Sequence, residues 1–169
     1  MPKTLVFFLT FFACAVPEQP SEIINKKEQD GIRKEYYQNG QIKSEGNYIN
    51  DLKEGLHRNW EANGILAQEG NYKKGKANGW MKWFHEKGHL AAQGNMVDGL
   101  RHGSWKICDV EANGFCIEAH FKMEKRDGIW KIKHDNGTVW KEQTWNDDQV
   151  VAEKCWDEQG SSISCTKQY

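Results

Sequence analysis

Short segments of alternating apolar and polar residues recur along most of the chain, and turn residues separate them. The segment YYQNGQIKSEGNY, residues 36–48, returns 24 residues later as WEANGILAQEGNY, residues 60–72. An Asn-Gly pair lies between the alternating segments of each copy, and both residues tolerate the positive φ that a tight hairpin turn needs. The pattern therefore predicts that each repeat is a β-hairpin.

Glycines mark the length of this repeat. The glycines that begin each unit recur in steps of 24 residues at Gly31, Gly55, Gly79 and Gly103, and Gly128 follows after a step of 25. A fixed period of this length is the signature of a repeat architecture. A second series of glycines predicts the hairpin turns, at Gly40, Gly64, Gly88, Gly114, Gly137 and Gly160.

Apolar residues keep the same register in the repeats. Aromatic residues precede the turns at Tyr36, Trp60, Phe84 and Trp156, and aliphatic residues follow them at Ile42, Leu66, Leu90 and Val139. A further set lies six residues beyond the aliphatic positions, at Tyr48, Tyr72, Met96 and Trp145. Even spacing keeps residues on one face of a strand, so this face is the expected core. The sequence predicts an all-β fold, an extended antiparallel meander of about six stacked hairpins.

Composition agrees with a thin, aromatic-rich sheet. The 169 residues include eight Trp, five Tyr and seven Phe, while the mean hydropathy of -0.84 leaves little aliphatic material for a thick helical core. The 23 basic and 24 acidic side chains nearly cancel. We therefore expect no nucleic-acid partner, because nucleic-acid binding leaves a basic footprint.

The N-terminal segment predicts export. Lys3 precedes the apolar run TLVFFLTFFA, which is too short to span a bilayer as a helix and is typical of a signal peptide over residues 1–13. The small residue before Cys14 resembles a bacterial lipobox, although Phe11 and Phe12 depart from it. Cys14 is thus the expected lipidation site, anchoring the chain to a bacterial membrane of the cell envelope. Cleavage after ACA, residues 13–15, and an uncleaved anchor are the alternatives.

Residues 14–29 then form the lipidated N-terminus and a flexible tether, because two of the three prolines lie there among Gln, Glu and Lys. The repeat domain follows over residues 30–169.

Five cysteines leave one without a partner, and Cys14 is that residue. The other four form two close pairs, Cys108 with Cys116 and Cys155 with Cys165, which are expected to be disulfides in an oxidising compartment. A zinc site with four cysteine ligands is the competing interpretation, but no two cysteines have C-x2-C spacing.

One stretch suggests catalysis. HEKGH, residues 85–89, matches the zinc-hydrolase motif in which two histidines on one helix face bind the metal and a glutamate is the general base, here His85, His89 and Glu86. However, Lys87 and Gly88 occupy the turn position of the third hairpin, so a helix is not expected. We predict no catalytic residue, no resident metal and no cofactor, with the zinc hydrolase as the alternative.

The repeated unit resembles the MORN repeat, in the variant found in bacterial proteins labelled as antitoxin components. The match is carried by GIRKEYYQNGQIKSEGNYIND, GLHRNWEANGILAQEGNYKKGKAN, GWMKWFHEKGHLAAQGNMVDGLRH and GIWKIKHDNGTVWKEQTW, and it extends from about Gly31 to Gly160. The resemblance implies a sheet of hairpin repeats that presents an interaction surface to a protein or cell-envelope partner. An antitoxin or immunity-like role, masking a toxin, is a more specific alternative.

The tryptophans have two interpretations. An aromatic sheet needs large side chains on its buried face, which favours a core role. Tryptophan is also enriched at binding hot spots. The sequence does not divide between these roles the five residues Trp80, Trp83, Trp105, Trp130 and Trp140.

Overall fold

The computed structural model describes residues 30–108, 116–134 and 136–165. In these ranges the chain forms thirteen β-strands and no helix. The strands are β1 (Gly31–Tyr36), β2 (Ile42–Ile49), β3 (Leu52–Trp60), β4 (Leu66–Lys73), β5 (Lys76–Phe84), β6 (Leu90–Val97), β7 (Leu100–Cys108), β8 (Cys116–Lys122), β9 (Lys125–Arg126), β10 (Gly128–Lys133), β11 (Val139–Asn146), β12 (Gln149–Trp156) and β13 (Ser162–Ile163).

All thirteen strands belong to one antiparallel sheet whose order follows the chain. The short strand β9 pairs with β8 and is separated from β10 by Asp127 alone. The predicted all-β meander of stacked hairpins is confirmed. Each strand contacts mainly its sequence neighbours, as expected of a repeat protein.

The hairpin turns at the predicted Asn-Gly positions are three-residue loops, as the first repeat shows. In the first repeat Gly40 N donates to Tyr37 O at 3.0 Å and Tyr37 N donates to Gln41 O at 2.8 Å, which leaves a three-residue loop. Only the glycine has a positive φ, +83°, whereas Asn39 does not. This is a type I turn closed by a left-handed glycine. The turn glycine thus has the positive φ that a tight turn needs, and Asn39, which tolerates such a φ, does not adopt it.

Asn39 instead stabilises the turn through its side chain. Its Oδ1 accepts from Gln41 N at 3.1 Å, and its Nδ2 donates to Ala62 O in the turn of the next repeat at 3.0 Å. The equivalent turn glycines at 64, 88, 137 and 160 have φ between +82° and +86°. Gly114 lies outside the described residues.

Two-residue turns join successive repeats at the opposite ends of the strands, and they were not predicted from the sequence. Both residues of each have positive φ, which is the type I′ geometry. They are Asn50–Asp51, Lys74–Gly75, Asp98–Gly99, Met123–Glu124 and Asp147–Asp148.

Both local cysteine pairs form disulfides. Cys108 and Cys116 are directly opposite one another on β7 and β8, with their Cα atoms 4.0 Å apart. Cys155 on β12 is bonded to Cys165, which follows β13. The second bond closes the C-terminal edge of the sheet, where β13 has only two residues.

One face of the sheet carries the core. Its buried members are Met81, Met96, Trp105, Ala119 and Phe121. Aromatic rings extend this row in both directions, with neighbouring ring centroids 5.1 to 6.1 Å apart, from Tyr48, His57 and Tyr72 at one end to Trp130 and Trp145 at the other. The predicted core residues Tyr48, Tyr72, Met96 and Trp145 lie in or beside this row, which we call the aromatic row.

Glycines without a strained φ make room for the largest side chains of the aromatic row. Gly94 is directly opposite Trp105, and a Cβ atom on it would lie 2.2 Å from Trp105 Cδ2. Gly70 has the same relation to Met81 and Gly46 to His57. A single-layer core becomes dense because each bulky side chain lies across the bare backbone of its neighbour strand.

Candidate interaction surface

The face opposite the core carries alternating charges, because successive side chains of a strand point to opposite faces. Directly paired residues on neighbouring strands form one continuous line across the sheet, which we call the charge ladder. In strand order it consists of Lys34, Glu45, Arg58, Glu69, Lys82, Gln93, Lys106, Glu118, Lys131, Glu142 and Lys154. Gln93 is the single uncharged member.

Ion pairs connect several neighbours of the ladder. Glu69 is shared by Arg58 Nε at 3.3 Å and Lys82 Nζ at 3.3 Å. Lys34 and Glu45 are 3.5 Å apart. Partial burial alone would raise the pKa of Glu69, but the hydrogen bonds from Arg58 and Lys82 lower it overall. Opposite charges directly across a sheet favour this register, and like charges would oppose it.

A line of exposed apolar side chains runs beside the charge ladder, two residues away along the strands that carry its basic members. We call it the apolar row: Ile32, Leu56, Trp80 and Ile129, with exposed fractions of 71%, 44%, 48% and 51%. Each follows the first glycine of its repeat. The fourth repeat has Ser104 at this position, so the row is interrupted there.

The interruption coincides with a depression of about 490 Å³. Ser104 and His120 are directly paired across β7 and β8, and Ile129 and Lys131 of β10 form the other side. His120 Nδ1 donates to Asp127 O at 3.1 Å, which fixes the ring beside the depression.

The structure places HEKGH on a hairpin. His85 N donates to His89 O at 2.8 Å, and Gly88 N donates to His85 O at 2.7 Å. The two histidines therefore flank a turn, without the helical geometry of a hydrolase motif. His85 Nε2 donates to Cys108 O of the next repeat at 3.3 Å. Within the described ranges no three His, Cys, Asp or Glu side chains are arranged to hold a metal ion.

The structure divides the tryptophans that the sequence left undivided. Trp105 is buried in the core, and Trp83 and Trp130 pack against it. Trp80 is on β5, two strands away from Trp105 on β7, and belongs to the apolar row on the opposite face. Trp140 is half-buried.

The apolar row and the charge ladder are both visible when the repeats are aligned at 24 residues, but assigning their face requires the strand register.

The N-terminal predictions lie outside the described residues, since these begin at residue 30, beyond Cys14 and the tether. Within the described part, no helix has the length and apolar character needed to cross a bilayer.

A comparison with protein families finds the MORN repeat variant at three places, residues 29–50, 53–74 and 126–147. These segments coincide with the first, second and fifth hairpins, and the third and fourth hairpins between them keep the same strand pattern. A comparison with curated proteins gives no match.

Proposed function

The chain belongs to the MORN repeat variant family, and from this premise we propose that it is a non-catalytic, exported and membrane-tethered repeat protein that binds a protein or cell-envelope partner. MORN repeats often bind partners or membranes, and proteins built from them are generally non-catalytic. The partner contacts the face of the sheet that carries the charge ladder and the apolar row. An antitoxin-like role, with a toxin as the partner, is a more specific form of this proposal.

The observation that carries the proposal is the apolar row. Single exposed apolar residues are common on soluble proteins. Here, however, the same repeat position is apolar and exposed in four repeats, Ile32, Leu56, Trp80 and Ile129. Residues on alternate strands are about 10 Å apart. A regular line of this kind, bordered by charges, has the composition of a binding surface with a polar rim.

The two faces of the sheet differ in how accessible their apolar side chains are to a partner. On the core face, Met81 and Phe121 are only 1% and 2% exposed, and Arg33, Lys53, Arg101 and Arg126 lie over rings of the aromatic row. Side chains of the same sheet thus cover that face. The apolar row has no such cover among the described residues, which favours it as the surface for a partner.

Site-specific photo-crosslinking tests this surface in the native organism. A crosslinking residue in place of Ile32 or Ile129 should trap one defined partner, and Leu56→Glu with Trp80→Glu should abolish the product. The matched control is Met123→Glu with Ile163→Glu, because these residues have similar exposure, 42% and 41%, but lie outside the apolar row. Equal loss of the product in both double variants, or no product at either position, would refute the proposal.

Membrane tethering depends on Cys14, which has no partner among the paired cysteines. Labelling cells with a clickable fatty acid should mark the wild type and leave Cys14→Ser unmarked. Equal labelling of both, or a mature N-terminus at Val16, would show that the lipid assignment is wrong.

The absence of catalysis is also open to a direct measurement. The alternative, a zinc hydrolase using His85, Glu86 and His89, requires stoichiometric zinc in the purified protein. Zinc that is present in the wild type and lost on His85→Ala would overturn the non-catalytic proposal.

A further inference from the structure

The two departures from the repeat pattern on the ladder face are adjacent. Ser104 replaces the large apolar residue found at Leu56 and Trp80. Gln93, on the neighbouring strand β6, replaces the acid that Glu45 and Glu69 supply in earlier repeats. Local departures from an otherwise consistent pattern are where functional sites are expected.

The first departure creates space. The depression of about 490 Å³ is large enough for one or two side chains of a partner. Its lining includes Ser104, His120, Ile129 and Lys131, and the acid Glu118. A large residue at position 104 would continue the apolar row into this volume. Ile129 is half exposed beside it and provides an apolar contact.

The second departure leaves positive charge in excess. Lys106 and Lys131 are the two cross-strand neighbours of Glu118, and Lys133 Nζ contacts its carboxylate at 2.7 Å. The hydrogen bond from Lys133 is the main cause that lowers the pKa of Glu118, and the charges of Lys131 and Lys106 contribute. Three ammonium groups thus surround one carboxylate.

Neither Lys106 nor Lys131 has an ion pair within the described ranges. The other cross-strand neighbour of Lys106 is Gln93, which carries no charge. By contrast, Lys82, one repeat earlier, pairs with Glu69 at 3.3 Å. The charge ladder therefore lacks one acid between Lys82 and Lys106, and an acid from outside would complete the alternation there. Lys131, in contrast, lies between Glu118 and Glu142.

We propose that this depression binds an acidic peptide segment of the partner, with a carboxylate beside Lys106 on its Gln93 side and a neighbouring aliphatic side chain over Ser104 and against Ile129. The inference rests on the proposed function, because it specifies which part of the ladder face recognises the partner and with what chemistry. A segment that alternates acidic and aliphatic residues fits both departures at once.

The remaining carboxylate of Glu118 limits the negative charge that the site accepts. A single carboxylate fills the one gap in the charge ladder, whereas a dense polyanion would meet the alternating acids of the ladder on either side of the depression, such as Glu69 and Glu142. The geometry thus favours an acidic peptide over a polyanionic surface.

The test uses the full chain and two blocked peptides, Gly-Leu-Glu-Leu-Gly and Gly-Leu-Lys-Leu-Gly, followed by NMR titration. The glutamate peptide should shift the amide signals of Ser104, Lys106 and His120, and the lysine peptide should not. Restoring the repeat pattern with Ser104→Leu or Gln93→Glu should each weaken binding about tenfold, since a filled pocket or a neutralised charge costs roughly that much.

Ser104→Ala is the matched control, because it keeps the space and should retain binding. Both pattern-restoring variants resemble the other repeats and should fold, which thermal unfolding verifies. Wild-type affinity in Ser104→Leu, or equal binding of the lysine peptide, would overturn the proposal. Binding to anionic vesicles with no response to the glutamate peptide would also overturn it.

The outcome is separable from that of the proposed function. A partner that still crosslinks at Ile32 and Ile129 while Ser104→Leu has no effect on its capture would refute the acidic-peptide site alone. Failure of crosslinking in the presence of glutamate-peptide binding would refute the proposed surface for the native partner and leave the local chemistry intact.

Discussion

The two faces of this sheet are built from the same strands and the same 24-residue period, yet they obey different rules. On the core face each large side chain needs a specific shape opposite it, as Trp105 needs Gly94. On the ladder face each position needs only the right charge sign. Gln93 departs even from that, although its strand β6 shows the same kind of register shifts as the equivalent strands β2 and β4. One face is constrained by packing and the other by weak electrostatics.

This difference explains why one sheet can keep its fold and still specialise. Buried contacts contribute most of the stability, since removing a large buried side chain costs several times more than removing an exposed ion pair. The ladder face is therefore free to vary at low cost. The departures at Gln93 and Ser104 lie on this face and change the stability little, which is why we place recognition there.

The sharpest comparison uses two tryptophans of the same sheet, Trp80 on β5 and Trp105 on β7. Trp105 is 5% exposed and Trp80 is 48% exposed. Trp105→Ala should lower the free energy of unfolding by about 3 to 5 kcal/mol because it empties the centre of the core. Denaturant unfolding of the purified chain measures this change.

Trp80→Ala is the control and should cost about 1 kcal/mol or less, since its side chain lies on the exposed face. If the two variants were equally destabilised, the assignment of the faces would have to be reversed or abandoned.

The glycines of the core face provide the next test. Gly94→Val should destabilise by about 3 kcal/mol, because a side chain there overlaps the indole of Trp105 and the core must rearrange. Gln93→Val changes the adjacent residue on the other face and should alter stability by about 0.5 kcal/mol or less. Thermal unfolding of both variants measures these changes. Equal stability of Gly94→Val and Gln93→Val would contradict the packing of Trp105 against Gly94.

The disulfides test whether the C-terminal repeats depend on more than the core face. Removing the bond between Cys108 and Cys116 with a double alanine variant should cost about 2.5 kcal/mol in the chain-entropy model, for a loop closed by a sequence separation of 8. Hydrogen exchange in reductant should loosen residues 128–165 before residues 31–79. The reverse order would show that the first repeats are the weaker part.

The sequence predicted the features that depend on local pattern. The period of the glycines and the Asn-Gly pairs identified the hairpins, and the spacing of Tyr48, Tyr72 and Met96 identified the core face. It did not predict the type I′ turns, although Asp98–Gly99 carries the usual signal for one. Met123–Glu124 lacks the glycine and asparagine by which such turns are recognised.

The charge ladder was missed for a different reason. Its cross-strand pairs depend on register shifts, such as the one between Gly46 and Asn47, and a one-residue shift moves side chains to the other face. The same bulges place Ser104 on the ladder face. Aligning the repeats would have shown the columns of Lys, Arg and Glu, but only the structure shows that they are neighbours.

The smallest expected effect concerns the charge ladder itself. Glu69→Gln removes the carboxylate shared by Arg58 and Lys82, whose nitrogens lie 3.3 Å from it. Because these pairs are partly exposed, the loss should be only about 0.5 kcal/mol at pH 7 and low salt. Denaturant unfolding of wild type and Glu69→Gln measures this small difference. It should shrink at high salt, since salt screens exposed charges.

The pH dependence of that difference has a fixed sign. The pKa of Glu69 is lowered from its ordinary value of 4.5, because the hydrogen bonds from Arg58 and Lys82 outweigh the opposing effect of partial burial. A carboxyl group whose pKa falls on folding contributes stability above its unfolded pKa and loses that contribution as the pH falls through its folded pKa. The advantage of wild type over Glu69→Gln should thus be full at pH 7 and disappear progressively below pH 4.5. An advantage that grew on acidification would mean that Glu69 is held neutral by its surroundings, and the alternating charges would then not stabilise this face.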